Sequence, residues 1–484
     1  MTGKIVSKIL GAALSVAVCC SFMNINASAA SANTSATQGS LETSANEASS
    51  ASSSESTTSK ISLRNKTLSV SESERPNLPL IQISTKDGEL PTYEVVTSSE
   101  GYAGETITNN EYVKGNMTVS GSGVLSGQYE MKFKIRGNTS AVESEKKPYK
   151  IKLSEKADLL GRGDSYADKT WILLSTGTSL NTYIGDFIAQ KVKMEWTPSM
   201  AFVNVEINGD WQGLYILTEA VQEGSNRVNI SNSGYLFEND AYWWNEDYYF
   251  KTKAQAPYLG YTFKYPDITS FSDSRLTSIK SVMQKAENYI NSGSSSLWSV
   301  CDKDTWARWL LARDILGQGD PSGSNMYFYK NSSSSSDLVK MGPLWDFDSA
   351  FMHVSDWSEQ HEVSYLPYYK LVENETFVNA YIGAWSEISG TLQTDISTCL
   401  DNLQKSQGAA LNASRQLDKK RWGSAYVPIE TEIKNDKAFF NTHLAWMNTK
   451  ISSGDLKSTE NVADADSTKS SSATDSSAST GLSK

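Results

Sequence analysis

Two short apolar runs flank an Asn-Gly dipeptide near the middle of the chain. They cover residues 201–207 and 212–219, and each has the length and the β-branched content of a strand. Asn208 and Gly209 suit the two left-handed positions of a tight hairpin turn. We therefore expect a β-hairpin here.

Two other segments carry apolar residues at helical spacing. In residues 179–193 they recur every three or four positions, with Thr178 or Ser179 as the predicted N-cap. A second helix is predicted to begin after the capping residue Asp302 and to end at Gly317, a residue that tolerates the left-handed backbone of a helix end.

Further runs have the alternation of strands, at 147–153, 326–330 and 338–344. In the first of them Lys150 and Lys152 fall on one face, because strand side chains alternate. Either a nucleotide phosphate or solvent could meet that basic face.

Strands dominate the first half of residues 61–455 and helices the second half. This gradient predicts an α+β fold with two lobes, a strand-rich N-lobe at about 61–222 and a helix-rich C-lobe at about 223–455.

The ends of the chain have a different composition. Lys4 and Lys8 precede an apolar run of about 15 residues that closes on a small-residue stretch, which predicts a secretory signal peptide over 1–29. The run is shorter than the roughly 20 residues that a membrane helix needs. The protein is therefore expected outside the cell or on its surface, without a membrane span.

Residues 30–60 and 456–484 are rich in Ser and Thr and poor in apolar residues. Such segments bury too little apolar surface to offset the entropy of ordering. They are predicted to be a linker and a disordered tail.

Composition and charge narrow the function. The 484 residues are 39% hydrophobic, enough for one large domain or two moderate ones, and the net charge of -11 argues against a nucleic-acid role. Beyond the signal peptide, Cys301 and Cys399 could form one disulfide or remain two buried thiols. The three histidines show no metal-ligand spacing.

Candidate chemistry follows directly after the helix that ends at Gly317. Asp320 and Asn325 have the Asp-x4-Asn spacing, and after two predicted strands comes Trp-Asp-Phe-Asp with Asp346 and Asp348. Phosphoryl transfer needs a carboxylate near the attacking hydroxyl and oxygen ligands for Mg²⁺. Each piece alone is typical of a turn, but their order after a helix and a lysine strand favours a kinase-like catalytic core.

As a set, these residues resemble the CotH kinases, a family with an atypical two-lobed protein-kinase-like fold. The resemblance covers about residues 75–355, and its motifs are Ile135-Arg136-Gly137-Asn138-Thr139-Ser140, 147–153, Asn208-Gly209 with 213–219, Asp320 with Asn325, and 342–348.

The resemblance implies an ATP-dependent enzyme that phosphorylates Ser or Thr in partner proteins, with its own Ser-rich tails among the candidate acceptors. Its cofactor would be Mg²⁺ or Mn²⁺. The implied roles are Asp320 as catalytic aspartate, Asn325, Asp346 and Asp348 as metal ligands, and Lys152, Lys150, Arg136 and Glu219 in nucleotide binding.

Two features depart from common protein kinases. No G-x-G-x-x-G loop precedes Lys152, and the acidic partner of that lysine is unassigned, with Asp186 and Gln190 at the candidate positions. One alternative is a cell-surface module that binds carbohydrate or protein and keeps the fold without activity. Another is a glycosidase pair formed by Asp320 and Asp346, which leaves Asn325 without a role.

Overall fold

The computed structural model describes residues 67–98, 104–253, 259–320, 323–361 and 367–457. The predicted signal peptide and linker lie outside the described residues, as does the tail from residue 458. Leu456 is buried, and its carbonyl oxygen lies 3.0 Å from Nδ1 of His361. The described residues therefore continue to Lys457.

Seven strands close into a barrel in the order β1-β4-β5-β6-β7-β9-β8, with β1 and β8 parallel and every other pair antiparallel. Their bounds are β1 (Leu80–Thr85), β4 (Val113–Ser120), β5 (Gly127–Ile135), β6 (Tyr149–Ala157), β7 (Asp168–Leu174), β8 (Met200–Ile207) and β9 (Asp210–Glu219). A separate ribbon pairs β2 (Glu94–Thr97) with β3 (Glu105–Thr108). The short helix α1 (Thr139–Val142) follows β5, and α2 (Asn181–Lys191) connects β7 to β8.

The predicted hairpin is confirmed. Strands β8 and β9 pair through a turn in which Asn208 has φ 52° and Gly209 has φ 77°. Two positive φ angles are what a two-residue hairpin with the natural strand twist requires. The predicted lysine strand is β6, which begins two residues later and runs four residues further than the pattern indicated.

A second, antiparallel sheet has the order β11-β12-β10-β13-β14. The strands are β10 (Tyr235–Asp240), β11 (Tyr249–Phe250), β12 (Gly260–Tyr265), β13 (Met326–Lys330) and β14 (Lys340–Met341). The run predicted at 338–344 contributes only β14, because Gly342 takes a positive φ of 122° and ends the strand.

Five longer helices lie in the second half of the described chain. They are α3 (Ser274–Asn291), α4 (Lys303–Ile315), α5 (Glu375–Ile388), α6 (Leu392–Trp422) and α7 (Ile429–Ser453). Asp302 caps α4 as predicted, with the Thr305 amide donating to its Oδ1 at 2.8 Å. The N-cap of α2 is Leu180 rather than Thr178 or Ser179. Within the described ranges, no helix combines the length and apolar character needed to cross a bilayer.

Two hydrophobic cores follow from this layout. One fills the barrel with inward residues such as Phe133, Ile151 and Trp171, and the other lies among the second sheet and the helices. The α+β class, with strands first and helices later, is confirmed. Cys301 and Cys399 form no disulfide with each other.

Candidate active site

A cleft of about 780 Å³ lies between the segment that follows β5 and the edge of the second sheet. Side chains from 136–144 form one wall, and β10, β12 and the loops before β13 and after β14 form the other. Acids outnumber bases in the described lining, which favours bound cations. The charged groups are Arg136, Lys264, Glu143, Glu238, Asp240, Glu246, Asp320, Asp346 and Asp348.

Asp320 reaches the cleft because α4 ends just before it. Gly317 has φ 52°, and the chain then turns so that the Gly319 amide donates to the Ser349 carbonyl at 2.9 Å. Burial raises the pKa of Asp320 to about 6, and Arg313 opposes that rise. A carboxyl with this pKa is ionised at neutral pH and can still take up a proton.

Asn325 and Asp346 meet across the cleft although 21 residues separate them. Asn325 Nδ2 lies 3.2 Å from Asp346 Oδ2, and both residues have left-handed backbones, with φ of 64° and 61°. The Asp348 amide donates to Asp346 Oδ1 at 3.2 Å. Enclosure by the cleft and the charge of Asp346 raise the pKa of Asp348 above its usual range, while Arg136 opposes the shift.

Strand β10 holds the loop that carries Asn325, and sequence reasoning missed its part in the site. Glu238 accepts from the Asn325 amide at 2.7 Å and pairs with Lys264 at 2.9 Å. Burial and the charge of Glu238 raise the pKa of Asp240 to about 7. Two carboxylates at i and i+2, directly after the apolar run Tyr235-Leu236-Phe237, were a signal that could have marked this wall.

Asp186 lies in a smaller cavity that shares Arg136, Asp346 and Asp348 with the main cleft. It projects from α2 and is only 3% exposed, and its Oδ2 has no hydrogen-bond partner among the described residues. Burial raises its pKa well above the usual value, with a smaller contribution from Glu219. Asp186, left unassigned in the sequence, thus lies beside the predicted metal ligands.

The predicted nucleotide-binding residues separate into two groups. Arg136 lines both cavities, with its guanidinium 5.7 Å from the centre of the Trp345 ring. Burial and four neighbouring cations, Arg136 and Lys264 among them, lower the pKa of Lys150 to about 8. Lys150 is therefore within electrostatic range of Arg136 and Lys264, which line the cleft.

Lys152 and Glu219 do not line the cleft. Lys152 is exposed on the outer face of the barrel and lines a separate concavity. The Glu219 carboxylate is buried and bound to Arg162 at 2.9 Å and to the Ser199 amide at 2.9 Å. Of the two lysines on the predicted strand, Lys150 is the one near Arg136.

Oxygen ligands for a divalent cation are present. Asp346, Asp348 and the amide of Asn325 are close together, and carboxylate and amide oxygens suit Mg²⁺. Burial and then the charge of Asp346 raise the pKa of Asp348, and a bound cation would offset both effects. Among the described residues, no group of three or more His, Cys, Asp or Glu side chains converges in a metal-binding arrangement.

Comparison with known proteins identifies a family whose model matches the chain. A family model described as CotH kinase protein matches residues 133–447, about two thirds of the chain. The matched segment begins in β5 and ends in α7, so it contains every residue discussed above for the cleft. No curated protein matches the chain.

Proposed function

Because the chain belongs to the CotH kinase protein family, we propose that it is an exported enzyme that transfers phosphate from ATP to Ser or Thr of partner proteins. The observation that carries the proposal is the meeting of Asn325 and Asp346 in the acidic cleft that Asp320 also lines. The proposed site also includes Arg136, which lies at the same cleft.

The proposed architecture is two-lobed and kinase-like. The barrel would form the N-lobe and the second sheet with the helices the C-lobe. The separation into two hydrophobic cores supports this division, as does a cleft with walls from both parts. Kinase-like folds bind nucleotide between lobes, so the cleft is the proposed ATP site.

In the proposed reaction, a Ser or Thr hydroxyl oxygen forms a bond to the γ-phosphorus of ATP. The bond from that phosphorus to the β–γ bridging oxygen breaks, and ADP leaves with the electron pair. Asp320 orients the hydroxyl and accepts its proton, which its pKa of about 6 permits.

Cations of the protein neutralise the transferred charge in this proposal. Arg136, which lines the cleft, would contact phosphate oxygens, and Lys150, within electrostatic range of Arg136, would add positive charge. Lys264 holds Glu238, which in turn fixes the loop bearing Asn325. Asp346, Asp348 and Asn325 would hold Mg²⁺ or Mn²⁺, which supplies positive charge to the nucleotide phosphates.

Export rests on the sequence of residues 1–29, which have a basic start, a short apolar run and a small-residue cleavage site. Serine-rich partner proteins, and the chain's own tails, are the proposed acceptors. An exported kinase needs nucleotide outside the cytoplasm, so ATP trapped in the cleft or supplied along the secretory route is part of the proposal.

The test is transfer of label from ATP labelled at the γ-phosphate, with Mg²⁺ or Mn²⁺ and a Ser-rich acceptor. We expect the full chain to transfer label, and Asp320→Asn and Asp346→Asn to lose at least about a hundredfold in rate, the range of one general base or a positioning group. Asp401→Asn, at an exposed ion pair on α6, is the matched control and should keep full activity.

If wild type labels no more than Asp346→Asn, and ATP with metal causes no thermal shift, the enzyme proposal is abandoned. A non-catalytic binding module with the same fold would then be the better description.

A further inference from the structure

Five lysines project from the outer face of three neighbouring barrel strands. They are Lys114 on β4, Lys132 and Lys134 on β5, and Lys150 and Lys152 on β6, and they are called the lysine face. Their neighbours Met131, Phe133 and Ile151 point into the barrel core, so alternation sends the lysines outward.

The strand register places these like charges side by side. Lys114 is opposite Lys132, Lys132 is opposite Lys152, and Lys134 is opposite Lys150. Like charges directly opposite each other destabilise an antiparallel pair. The arrangement occurs in a chain of net charge -11, so it does not reflect a basic composition.

Within the described residues, contact ion pairs do not neutralise the lysine face, although the charge of Glu246 favours the ionised form of Lys134. Within the described ranges none of the five lysines forms an ion pair with an acidic side chain; the ammonium groups of Lys132 and Lys134 instead lie 4.7 and 5.2 Å from the centre of the Tyr112 ring. Lys134 Nζ also lies 3.5 Å from the Asn110 carbonyl oxygen. The positive charge therefore remains available to a partner.

The lysine face contains a concavity of about 680 Å³. Lys86 and Lys169 add to Lys114, Lys132 and Lys152 in its lining, against the single acid Glu130 among the described lining residues. The site has depth as well as charge, which an isolated solvated lysine lacks.

Strand β5 connects this concavity to the candidate active site. Lys132 and Lys134 project outward at alternate positions of β5, and Arg136, the first residue after the strand, lines the cleft. At about 3.4 Å per residue, Lys132 is about 14 Å from Arg136 along the strand. The basic surface thus leads from the concavity to the cleft.

We propose that the lysine face docks an acidic segment of the acceptor polypeptide, so that its Ser or Thr enters the cleft beside Asp320. The occupant is an extended chain rich in Asp and Glu, since its charge complements the lysines. An extended chain covers about 14 Å in about four residues, so acidic residues four or more positions from the acceptor residue contact Lys132 and Lys152. The inference rests on the proposed function for the acceptor, but docking itself needs no phosphate transfer.

Binding is measured by fluorescence anisotropy on the full chain. The probe is a labelled peptide with a central serine and Asp residues four to eight positions away on both sides, compared with its Asp-to-Asn version. We expect the acidic peptide to bind at least about tenfold more tightly, with affinity that falls as NaCl rises.

The variant Lys114→Gln/Lys132→Gln/Lys152→Gln should lose about tenfold in affinity for the acidic peptide. In the transfer assay its KM for that peptide should rise by a similar factor, with KM for ATP and kcat unchanged. Lys280→Gln/Lys405→Gln/Lys434→Gln, on exposed helix surfaces, is the matched control and should bind as wild type does.

Equal affinity for the acidic and neutral peptides overturns the inference, as does unchanged binding by the triple variant. If the KM for ATP rises instead of the KM for the peptide, the lysines bind the nucleotide. If an oligonucleotide of equal charge binds more tightly than the peptide, the lysines bind nucleic acid. Either result also overturns the inference. If no acceptor is phosphorylated while the triple variant still loses peptide binding, the proposed function fails and the docking surface stands.

Discussion

At the scale of single residues, the ionisation of Asp320 is set by its surroundings. Burial raises its pKa to about 6, the charges of Asp346 and Glu359 raise it as well, and Arg313 opposes them. Since the pKa is raised, the proton-accepting form is present above pH 6 and is lost as the pH falls through 6. We expect the rate of phosphate transfer to fall in that window.

Arg313→Gln should move the acidic limb of the pH–rate profile to higher pH, because the substitution removes the cation that lowers the pKa of Asp320. Arg313→Lys keeps the charge and should leave the limb near its wild-type position. The pH dependence of kcat/KM measures both, and an unmoved limb in Arg313→Gln would contradict a general-base role for Asp320.

Sequence reasoning at this scale found the residues that form motifs. Asp320, Asn325 and Asp346 stand in a recognisable order, and two of them meet in the cleft. Glu238 belongs to no recognisable motif, and Asp186 stands out in the sequence only as a candidate partner of the lysine. Glu238 and Asp186 matter because of neighbours that are distant in sequence and adjacent in the fold. A local sequence pattern does not reveal such neighbours.

At the scale of elements, helix α2 packs directly on the loop that carries the proposed metal ligands Asp346 and Asp348. A Cβ added to Gly185 would lie 2.2 Å from the Phe347 ring, and Phe347 stands between Asp346 and Asp348. In an isolated helix Gly→Ala is stabilising by about 1 kcal/mol. Here the clash reverses the sign.

We therefore expect Gly185→Ala to lower the free energy of unfolding by about 1–3 kcal/mol, the usual cost of overpacking. It should also reduce phosphate transfer, since Phe347 must move with its neighbours. Gly383→Ala on α5 is the control: nothing lies within 4 Å of the added Cβ, so stability should stay equal or rise. Urea denaturation measures the stability, and initial rates measure the activity. A fully active Gly185→Ala variant would show that the packing of α2 does not affect the active site.

Elements with strong local signals were predictable and long-range pairing was not. Asn208 and Gly209 specify their hairpin, and Asp302 specifies the start of α4. Barrel closure depends on β1 pairing with β8, where Leu80 meets Asn204 across more than 120 residues. Local periodicity carries no information about such a partner.

At the scale of the whole molecule, helix α6 joins the late part of the chain to the barrel. Lys146 pairs with Asp418 at 2.8 Å, and both side chains are almost fully buried. Asp418 also accepts from the Leu214 amide at 3.2 Å, and Lys146 donates to the Leu214 carbonyl oxygen. Breaking one side of a buried pair leaves the other charge uncompensated.

Lys146→Met is accordingly expected to lower the free energy of unfolding by about 3–5 kcal/mol. Lys437→Met, which breaks the exposed pair with Asp401, should cost less than about 1 kcal/mol. Chemical denaturation followed by tryptophan fluorescence checks the difference. Equal effects of the two substitutions would mean that the Lys146 contact does not stabilise the fold.

The same helix determines when, during synthesis, the first half of the chain can complete its fold. Ser414 bonds Asn204 at 3.0 Å, Arg421 pairs with Asp210 at 2.9 Å, and the Trp422 indole donates to the Gln212 carbonyl at 2.9 Å. A nascent chain that has emerged only to the end of β9 lacks all of these partners and carries a buried lysine without its counter-ion. Two separately expressed fragments, divided after residue 222, would therefore rescue each other on mixing, while the barrel fragment alone would be prone to proteolysis.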